Sequence, residues 1–206
     1  MITDLFTANV ILGILASGIR LATPYLYAAI GETFGQRSGV LNLGVEGQML
    51  LGAFAGFYVT FKYGNPWLGL LAAILVGALM GVVMGFITVT LHAEQGISGI
   101  GVYLFGLGMS DLLFQKTIGS VETVVGFPKI HIPWLSDVPV IGEVFFQHNI
   151  LVYLAFLLVP VAWFVLNKTT LGLKIRAVGE NPEAADSLGV NVKGIRYFTC
   201  TLGGIL

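Results

Sequence analysis

The sequence predicts an all-α fold, a polytopic transmembrane helical bundle with about five full spans plus the start of another. Composition is the first reason, because 56% of the 206 residues are hydrophobic and only 10% are charged, whereas soluble domains carry about 25% charged residues. The second reason is that the apolar residues lie in long runs rather than at amphipathic spacing, which indicates lipid around the helices. We therefore expect a multi-pass membrane protein with membrane lipid as a partner. No stripe of basic residues favours nucleic acid, and none is expected to bind.

Five apolar segments have the length of a membrane span, since each approaches the roughly 20 residues that a hydrocarbon core requires. They run from Ala8 to Ile30, from Leu43 to Phe61, from Trp67 to Leu91, from Ile97 to Gln115 and from Ile150 to Leu166. Asp4 stands where a signal peptide would be positively charged, so the first span is expected to be retained. A further apolar stretch, from Arg196 to Leu206, has about half the length of a span. We therefore expect residues 1–206 to be one transmembrane domain and a fragment of a longer protein.

The distribution of basic residues predicts the orientation. Half of the ten Lys and Arg residues lie in one segment that directly follows the fifth span: Lys168, Lys174, Arg176, Lys193 and Arg196. Such a segment faces the cytoplasm under the positive-inside rule. Counting spans backwards places the 117–149 loop outside and the 92–96 and 31–42 connections inside. If residues 31–42 are instead a break within the membrane, the parity of this count changes.

A ridge of small residues runs along the third span. Gly77, Gly81 and Gly85 are spaced four residues apart and therefore share one helix face. Such a ridge lets a neighbouring backbone approach closely. It is interpreted either as static packing or as a contact that slides during transport.

Polar residues are dense between the first two spans, over residues 31–53 (GETFGQRSGVLNLGVEGQMLLGA). A charge at the centre of a bilayer costs about 2.5–3.5 kcal/mol, so these groups need a cavity, a partner or water. Glycines also allow a helix to break where its backbone lines a cavity. One hypothesis is that the stretch borders a translocation pathway; the other is a short cytoplasmic turn with Glu32 and Arg37 solvated. The pathway candidates are Glu32, Asn42, Glu46 and Gln48.

Two further charges, Arg20 and Asp111, lie within predicted spans. Residues of this kind mark a pathway or a buried pair. For Asp111 the alternative interpretation is a position close enough to the outer interface to reach water.

No catalytic or metal-binding constellation is present in the sequence. His92, His131 and His148 are isolated from Cys and carboxylates and are expected to be solvated. No glycine-rich loop ends in Gly-Lys-Ser/Thr, so the chain is not expected to bind ATP itself. We expect a protein that is not an enzyme and has no cofactor or metal of its own.

The stretch after the fifth span predicts two short helices joined by a turn. Leu171, Ile175 and Val178 recur at helical spacing and form a narrow apolar face. Gly179 is expected to end this first helix.

The second short helix carries a full set of capping residues. Asn181 is a favourable N-cap, Pro182 suits the first helical position, and Gly189 is a C-terminal stop. The sequence thus predicts a compact, capped helix that presents Ala184, Ala185 and Leu188 on the cytoplasmic side. Such a helix suits docking into a groove on another protein, although many membrane proteins have amphipathic cytoplasmic loops with no such role.

Two stretches carry a family resemblance. GETFGQRSGVLNLGVEGQMLLGA, together with LGLKIRAVGENPEAADSLGV (residues 171–190), resembles permease subunits of bacterial ABC importers for nucleosides and simple sugars. Permeases for branched-chain amino acids belong to the same superfamily. The resemblance covers nearly the whole chain and includes PWLSDVPVIGEVFF, from Pro133 to Phe146.

The resemblance implies a set of partners and roles. A permease of this kind lies in the cell (cytoplasmic) membrane and pairs with a second permease subunit as a homo- or heterodimer. Cytoplasmic ATPase subunits bind the ATP, and an extracytoplasmic solute-binding protein delivers the small-molecule substrate. Residues 168–193 would be the cytoplasmic coupling loop that inserts into the ATPase. Its candidate residues are Gly172, Arg176, Gly179, Glu180, Asn181, Ala184, Ala185 and Gly189.

Two alternatives belong to other classes. A self-contained secondary transporter or channel for a small polar solute would use Arg20, Glu32 or Asp111 for ion coupling, but it would not require the capped cytoplasmic helix. An intramembrane enzyme would need paired catalytic groups at membrane depth, and the sequence offers none.

Overall fold

The computed structural model describes residues 8–120, 122–130 and 141–206, and most of these residues are helical. An isolated antiparallel β-bridge joins Lys129 and Asn149. A π-helical turn, Phe86–Thr90, extends α3. The α-helices are α1 (Ala8–Arg37), α2 (Val45–Tyr63), α3 (Pro66–Gly85), α4 (Gln95–Thr117), α5 (Ile141–Phe145), α6 (Ile150–Lys168), α7 (Thr170–Glu180), α8 (Pro182–Ser187) and α9 (Val192–Ile205).

Four helical segments in the described part of the chain are long and apolar enough to cross a membrane, and they lie at four of the five predicted spans. These segments are Val10–Arg37, Pro66–Thr90, Gln95–Thr117 and Ile150–Lys168. The other predicted span is also a helix, α2, with 19 residues. It carries a charged residue near each end, Glu46 in its first turn and Lys62 in its last. The prediction of an all-α, multi-pass bundle is confirmed.

The first helix is longer than predicted. It continues past Ile30 without a break and ends at Arg37, although it contains Gly31 and Gly35. Within this extension, Gln36 Nε2 donates a hydrogen bond of 3.1 Å to Glu32 Oε1 one helical turn earlier. The non-helical connection to α2 is therefore short and runs only from residue 38 to residue 44.

The chain divides into two compact units, each described by itself. One comprises Met1–Tyr27 and Phe127–Val161, and the other comprises Ala28–Gly126 and Ala162–Leu206. In the first unit, the Tyr27 hydroxyl donates to the Leu151 carbonyl at 2.7 Å. His148 is buried there, with Nε2 at 2.7 Å from the Val144 carbonyl oxygen. The expectation that His148 is solvated was therefore wrong, because its ring is used inside the unit; His131 lies outside the described residues.

In the second unit, α3 packs between α2 and α9, and α2 also packs against α4. Leu51, Met80, Met84 and Val102 form one buried cluster among these helices. α9, the apolar stretch at the end of the sequence, thus lies against protein along the face that it turns towards α3.

Candidate functional site

Three connections of the second unit meet at one end of its helices, which we call the junction: residues 38–44, residues 91–95 and the α7–α8 segment. Gln95 joins the first two, because its Oε1 accepts from the Leu41 N–H at 2.8 Å and its Nε2 donates to the Gly39 carbonyl at 3.2 Å. The α7–α8 segment reaches the first connection through Gly179, whose backbone lies against Gly39. The connections that the positive-inside count assigns to the cytoplasm therefore share one end.

α9 is tied to the junction as well. Arg196 Nε donates to the Ser38 carbonyl at 3.3 Å, and the buried hydroxyls of Ser38 and Thr199 are 2.8 Å apart. Gln95, Ser38 and Thr199 were not identified from the sequence. Single polar residues at helix ends carry no periodicity or motif, so only their long-range partners reveal their role.

Glu94 forms the N-cap of α4 at the junction. Its carboxylate accepts from the backbone N–H groups of Ile97 and Gly96. These hydrogen bonds, the one from Ile97 being the stronger cause, lower the pKa of Glu94 below its usual range.

Three of the four pathway candidates form one polar network beside the junction. Glu32 Oε1 accepts from the Asn42 backbone N–H at 3.1 Å, and Asn42 Nδ2 donates to Gln48 Oε1 at 3.2 Å. Asn42 Oδ1 also accepts from the Gly44 N–H at 3.0 Å. The side chain of Gln48 is only 4% exposed, and its Nε2 has no partner among the described residues. In this conformation the network shapes the 38–44 connection, and its role in a pathway stays a prediction; Glu46 lies apart from it and is exposed.

α7 is held against the ends of two long helices by close backbone contacts. A Cβ atom on Gly172 would overlap the carbonyl oxygens of Val165 and Leu166 in α6. A Cβ atom on Gly179 would overlap the carbonyl oxygen of Arg37, the last residue of α1. Only glycine fits at these two points, so the backbone of α7 lies in direct contact with both helix ends.

The predicted face of α7 is confirmed in its two inner members. Ile175 and Val178 are fully buried, whereas Leu171 is only partly covered. Arg176 lies beside this face, and its buried Nε has no hydrogen-bond partner in the described part of the chain. Glu180 is exposed and ends the helix.

The caps of α8 are those that the sequence predicts. Asn181 Oδ1 accepts from the Ala184 N–H at 3.0 Å, Pro182 is the first helical residue, and Gly189 has a φ of +80°. This left-handed conformation favours glycine, and the Gly189 N–H donates to the Asp186 carbonyl at 2.8 Å.

Ala185 is a correction to the predicted surface of α8. It is 2% exposed and faces the protein, because one turn of helix has both an inner and an outer side. Ala184 is exposed, and Leu188 is 84% exposed. The surface that α8 offers to a partner, which we call the α8 knob, consists of Ala184 and Leu188 with Glu183 and Asp186 exposed beside them.

The glycine ridge of α3 packs against α9. Cβ atoms on Gly77 and Gly81 would overlap the carbonyl oxygens of Gly204 and Cys200, respectively, and one on Gly85 would lie 3.0 Å from the Tyr197 ring. The ridge is a helix contact, as its spacing indicates. Whether it slides during transport stays a prediction.

Among the described residues, no group of three or more His, Cys, Asp or Glu side chains could hold a metal ion. The described site therefore consists of the α8 knob, the backbone contacts of α7 with two helix ends, and the close crossing of α3 and α9.

The comparisons with known proteins agree with one another. Residues 14–206 match the family described as "Branched-chain amino acid transport system / permease component". A putative glucose ABC transporter permease protein of Haloferax volcanii is 42% identical over 93% of this chain and 59% of its own length. A guanosine ABC transporter permease protein of Bacillus subtilis is 38% identical over 89% of this chain and 61% of its own length. A nucleoside ABC transporter permease protein of Lactococcus lactis is 37% identical, with 94% and 64% covered.

The chain thus spans about three fifths of the length of these relatives. No solved structure matches it.

Proposed function

We propose that this chain, which belongs to the family of permease components of branched-chain amino acid transport systems, is part of the membrane-spanning subunit of an ATP-driven importer. The proposed substrates are nucleosides or simple sugars. The names of three relatives support this choice, since they specify glucose, guanosine and nucleosides. The family is one of transport components rather than enzymes. The proposed partners are cytoplasmic ATPase subunits, a second permease subunit and an extracytoplasmic solute-binding protein.

The observation that carries the proposal is the exposed Leu188 on the α8 knob. Leu188 is 84% exposed at the end of a short, capped helix. Full burial of such a side chain under a partner stabilises the complex by about 1.5–3 kcal/mol. Glu183 and Asp186 beside it favour a partner cleft with an apolar floor and a basic rim. The α8 knob would occupy such a cleft on the ATPase subunit.

The mechanism requires no chemistry from the permease itself. ATP binding would close the ATPase pair and displace the α8 knob. α7 would carry this displacement to the end of α6 at Gly172 and to the end of α1 at Gly179. The long helices would then change the side to which their pathway opens. Transport is driven only by the difference in contact free energy between the two states.

The test places a charge on the α8 knob. Leu188→Asp would bury an unpaired carboxylate in the partner cleft. Substitutions at a binding hot spot typically lose at least about 2 kcal/mol of binding free energy, which weakens the docking constant more than about tenfold. The control is Val125→Asp, which alters an aliphatic residue of similar exposure in the loop predicted to lie outside.

The assay uses the permease assembled with its ATPase and solute-binding partners in proteoliposomes, with guanosine and glucose as probes. We expect Leu188→Asp to lower the amount of probe imported per ATP hydrolysed at least about tenfold, and Val125→Asp to leave this ratio unchanged. An unaltered ratio in Leu188→Asp would remove the docking role. A complete wild-type complex that imports neither probe with ATP would remove guanosine and glucose from the proposed substrates.

A further inference from the structure

An open groove lies between α2 and α4, away from the junction. Its volume of about 620 Å³ is within the range of about 300–1,000 Å³ that small-molecule sites occupy. Both helices contribute to the lining, which includes Ala53, Phe54 and Phe57 of α2 and Ser110, Asp111 and Phe114 of α4. None of the coupling or pathway candidates belongs to it.

One side of the groove is aromatic and held in place by ring contacts. The rings of Phe57 and Phe114 are 6.1 Å apart and tilted by 48°, which links α2 to α4. Phe57 also stacks on Phe61 at 6.2 Å, and Phe54 stacks on Tyr58 at 5.9 Å. Rings fixed in this way offer flat apolar surface to a planar group, with little loss of conformational freedom on binding.

The groove also holds a carboxylate within a candidate membrane span. Asp111 lies in the span Gln95–Thr117 and is exposed. Its Oδ2 accepts a hydrogen bond of 2.8 Å from Gln115 Nε2, while Ser110 beside it donates its hydroxyl to the Leu107 carbonyl at 3.0 Å. A charge at this position is unfavourable against lipid and marks a polar passage or a partner.

These two features together favour one class of occupant. A lipid chain would use the aromatic rings but would leave Asp111 unsolvated, and an anionic lipid headgroup would be repelled by it. A solute that combines a planar ring with neighbouring hydroxyl groups uses both, because the ring stacks on phenylalanine and the hydroxyls donate to the carboxylate. Nucleosides have this chemistry, whereas a sugar alone lacks the planar ring.

We infer that the α2–α4 groove is a nucleoside-binding site on the import route, with Phe57 and Phe114 stacking the base and Asp111 accepting from the ribose hydroxyls. This inference rests on the proposed function, since it assigns a solute site to the proposed importer. It also assigns Asp111 a role in solute binding that is separate from the polar network of Glu32, Asn42 and Gln48 beside the junction.

The test measures protection of a cysteine placed in the groove. Ala53→Cys introduces an exposed thiol there, and the natural Cys200 is only 4% exposed, so a polar maleimide reports mainly on the groove. Phe105→Cys is the matched control, because residue 105 is exposed on α4 but outside the groove lining. Labelling is followed in the assembled importer with guanosine, uridine or ribose.

We expect guanosine and uridine to slow labelling of Ala53→Cys at least threefold, ribose to slow it much less, and none of them to protect Phe105→Cys. Adding Asp111→Asn to Ala53→Cys should remove the protection, and adding Asp111→Glu should restore part of it. Equal labelling with and without nucleoside, in a complex that imports guanosine, would overturn the inference and leave the importer intact. If protection of Ala53→Cys from labelling depends on the permease concentration and not on the nucleoside, the inference is also overturned, because a second copy of the chain would then occupy the groove. A complex that imports only glucose would overturn the nucleoside class.

Discussion

Replacing Gly81 with alanine is expected to destabilise the crossing of α3 and α9. The added methyl group would overlap the Cys200 carbonyl oxygen and would lie 2.9 Å from the Thr201 Cα. Both neighbours are backbone atoms of a helix, so no side chain can rotate away. The two helices must therefore separate along the whole ridge.

The size of this effect follows from two opposing terms. Overpacking of a close contact costs about 1–3 kcal/mol, whereas alanine is favoured over glycine inside a helix by about 0.5–1 kcal/mol. The two ranges leave a net loss of about 0–2.5 kcal/mol, with a central value of about 1 kcal/mol, which corresponds to a fall of roughly 2–4 °C in the unfolding temperature of a chain of this size. The control is Gly101→Ala in α4, where nothing lies within 4 Å of the new methyl group. Only the favourable helix term then remains, so the unfolding temperature should rise slightly.

The chain supplies its own probe for this measurement. Cys200 is the single cysteine, and it is buried at the crossing. A dye that becomes fluorescent on reaction with a thiol therefore reports when α9 leaves α3 during heating in detergent. The reasoning is refuted if Gly81→Ala exposes Cys200 at the same temperature as Gly101→Ala. The close approach of α3 and α9 at Gly81 would then contribute nothing measurable to stability.

Two further predictions concern helix caps. Asn181→Ala removes the cap of α8 and should cost about 1 kcal/mol of local helix stability. A protease is therefore expected to cut the α8 knob faster in this variant, while the unfolding temperature of the long helices stays unchanged. Equal cleavage rates in the variant and the wild type would contradict this prediction. The pKa of Glu94 is lowered in the folded state, so its cap stabilises α4 fully above the unfolded pKa of about 4.3 and loses that contribution as pH falls through the lower folded value. The unfolding temperature, followed by tryptophan fluorescence, should therefore fall more steeply below about pH 4.5 in the wild type than in Glu94→Gln, and parallel profiles would exclude the cap as the cause.

Most of the helices could be predicted from the sequence because their signals are local. Long apolar runs predicted the spans, and Asn181, Pro182 and Gly189 predicted both ends of α8. The errors also have local causes. α1 was predicted to end near Ile30, because glycines and charges suggested a break, but the helix continues to Arg37. A glycine lowers helix stability by only about 1 kcal/mol, which packing overrides.

The candidate site was less predictable because its residues come together from distant parts of the chain. Ala185 and Leu188 belong to one motif, yet the first is buried and the second is the exposed residue of the α8 knob. Gln95 was not identified from the sequence because a single polar residue forms no pattern, although its side chain hydrogen-bonds to the 38–44 connection. The groove at Asp111 depends on two helices that are about fifty residues apart in sequence.

The sequence by itself determined that this protein is a helical membrane protein, which end of it is basic, and where a capped helix follows the fifth span. These properties follow from hydropathy, charge and capping, which act over one or two helical turns. Only the tertiary structure decided that Gly179 lies on Arg37, that Gly81 lies on Cys200 and that Ala185 faces the protein. The physical reason is that each of these depends on which helix faces pack together, and close packing is a property of pairs of distant segments rather than of any one of them.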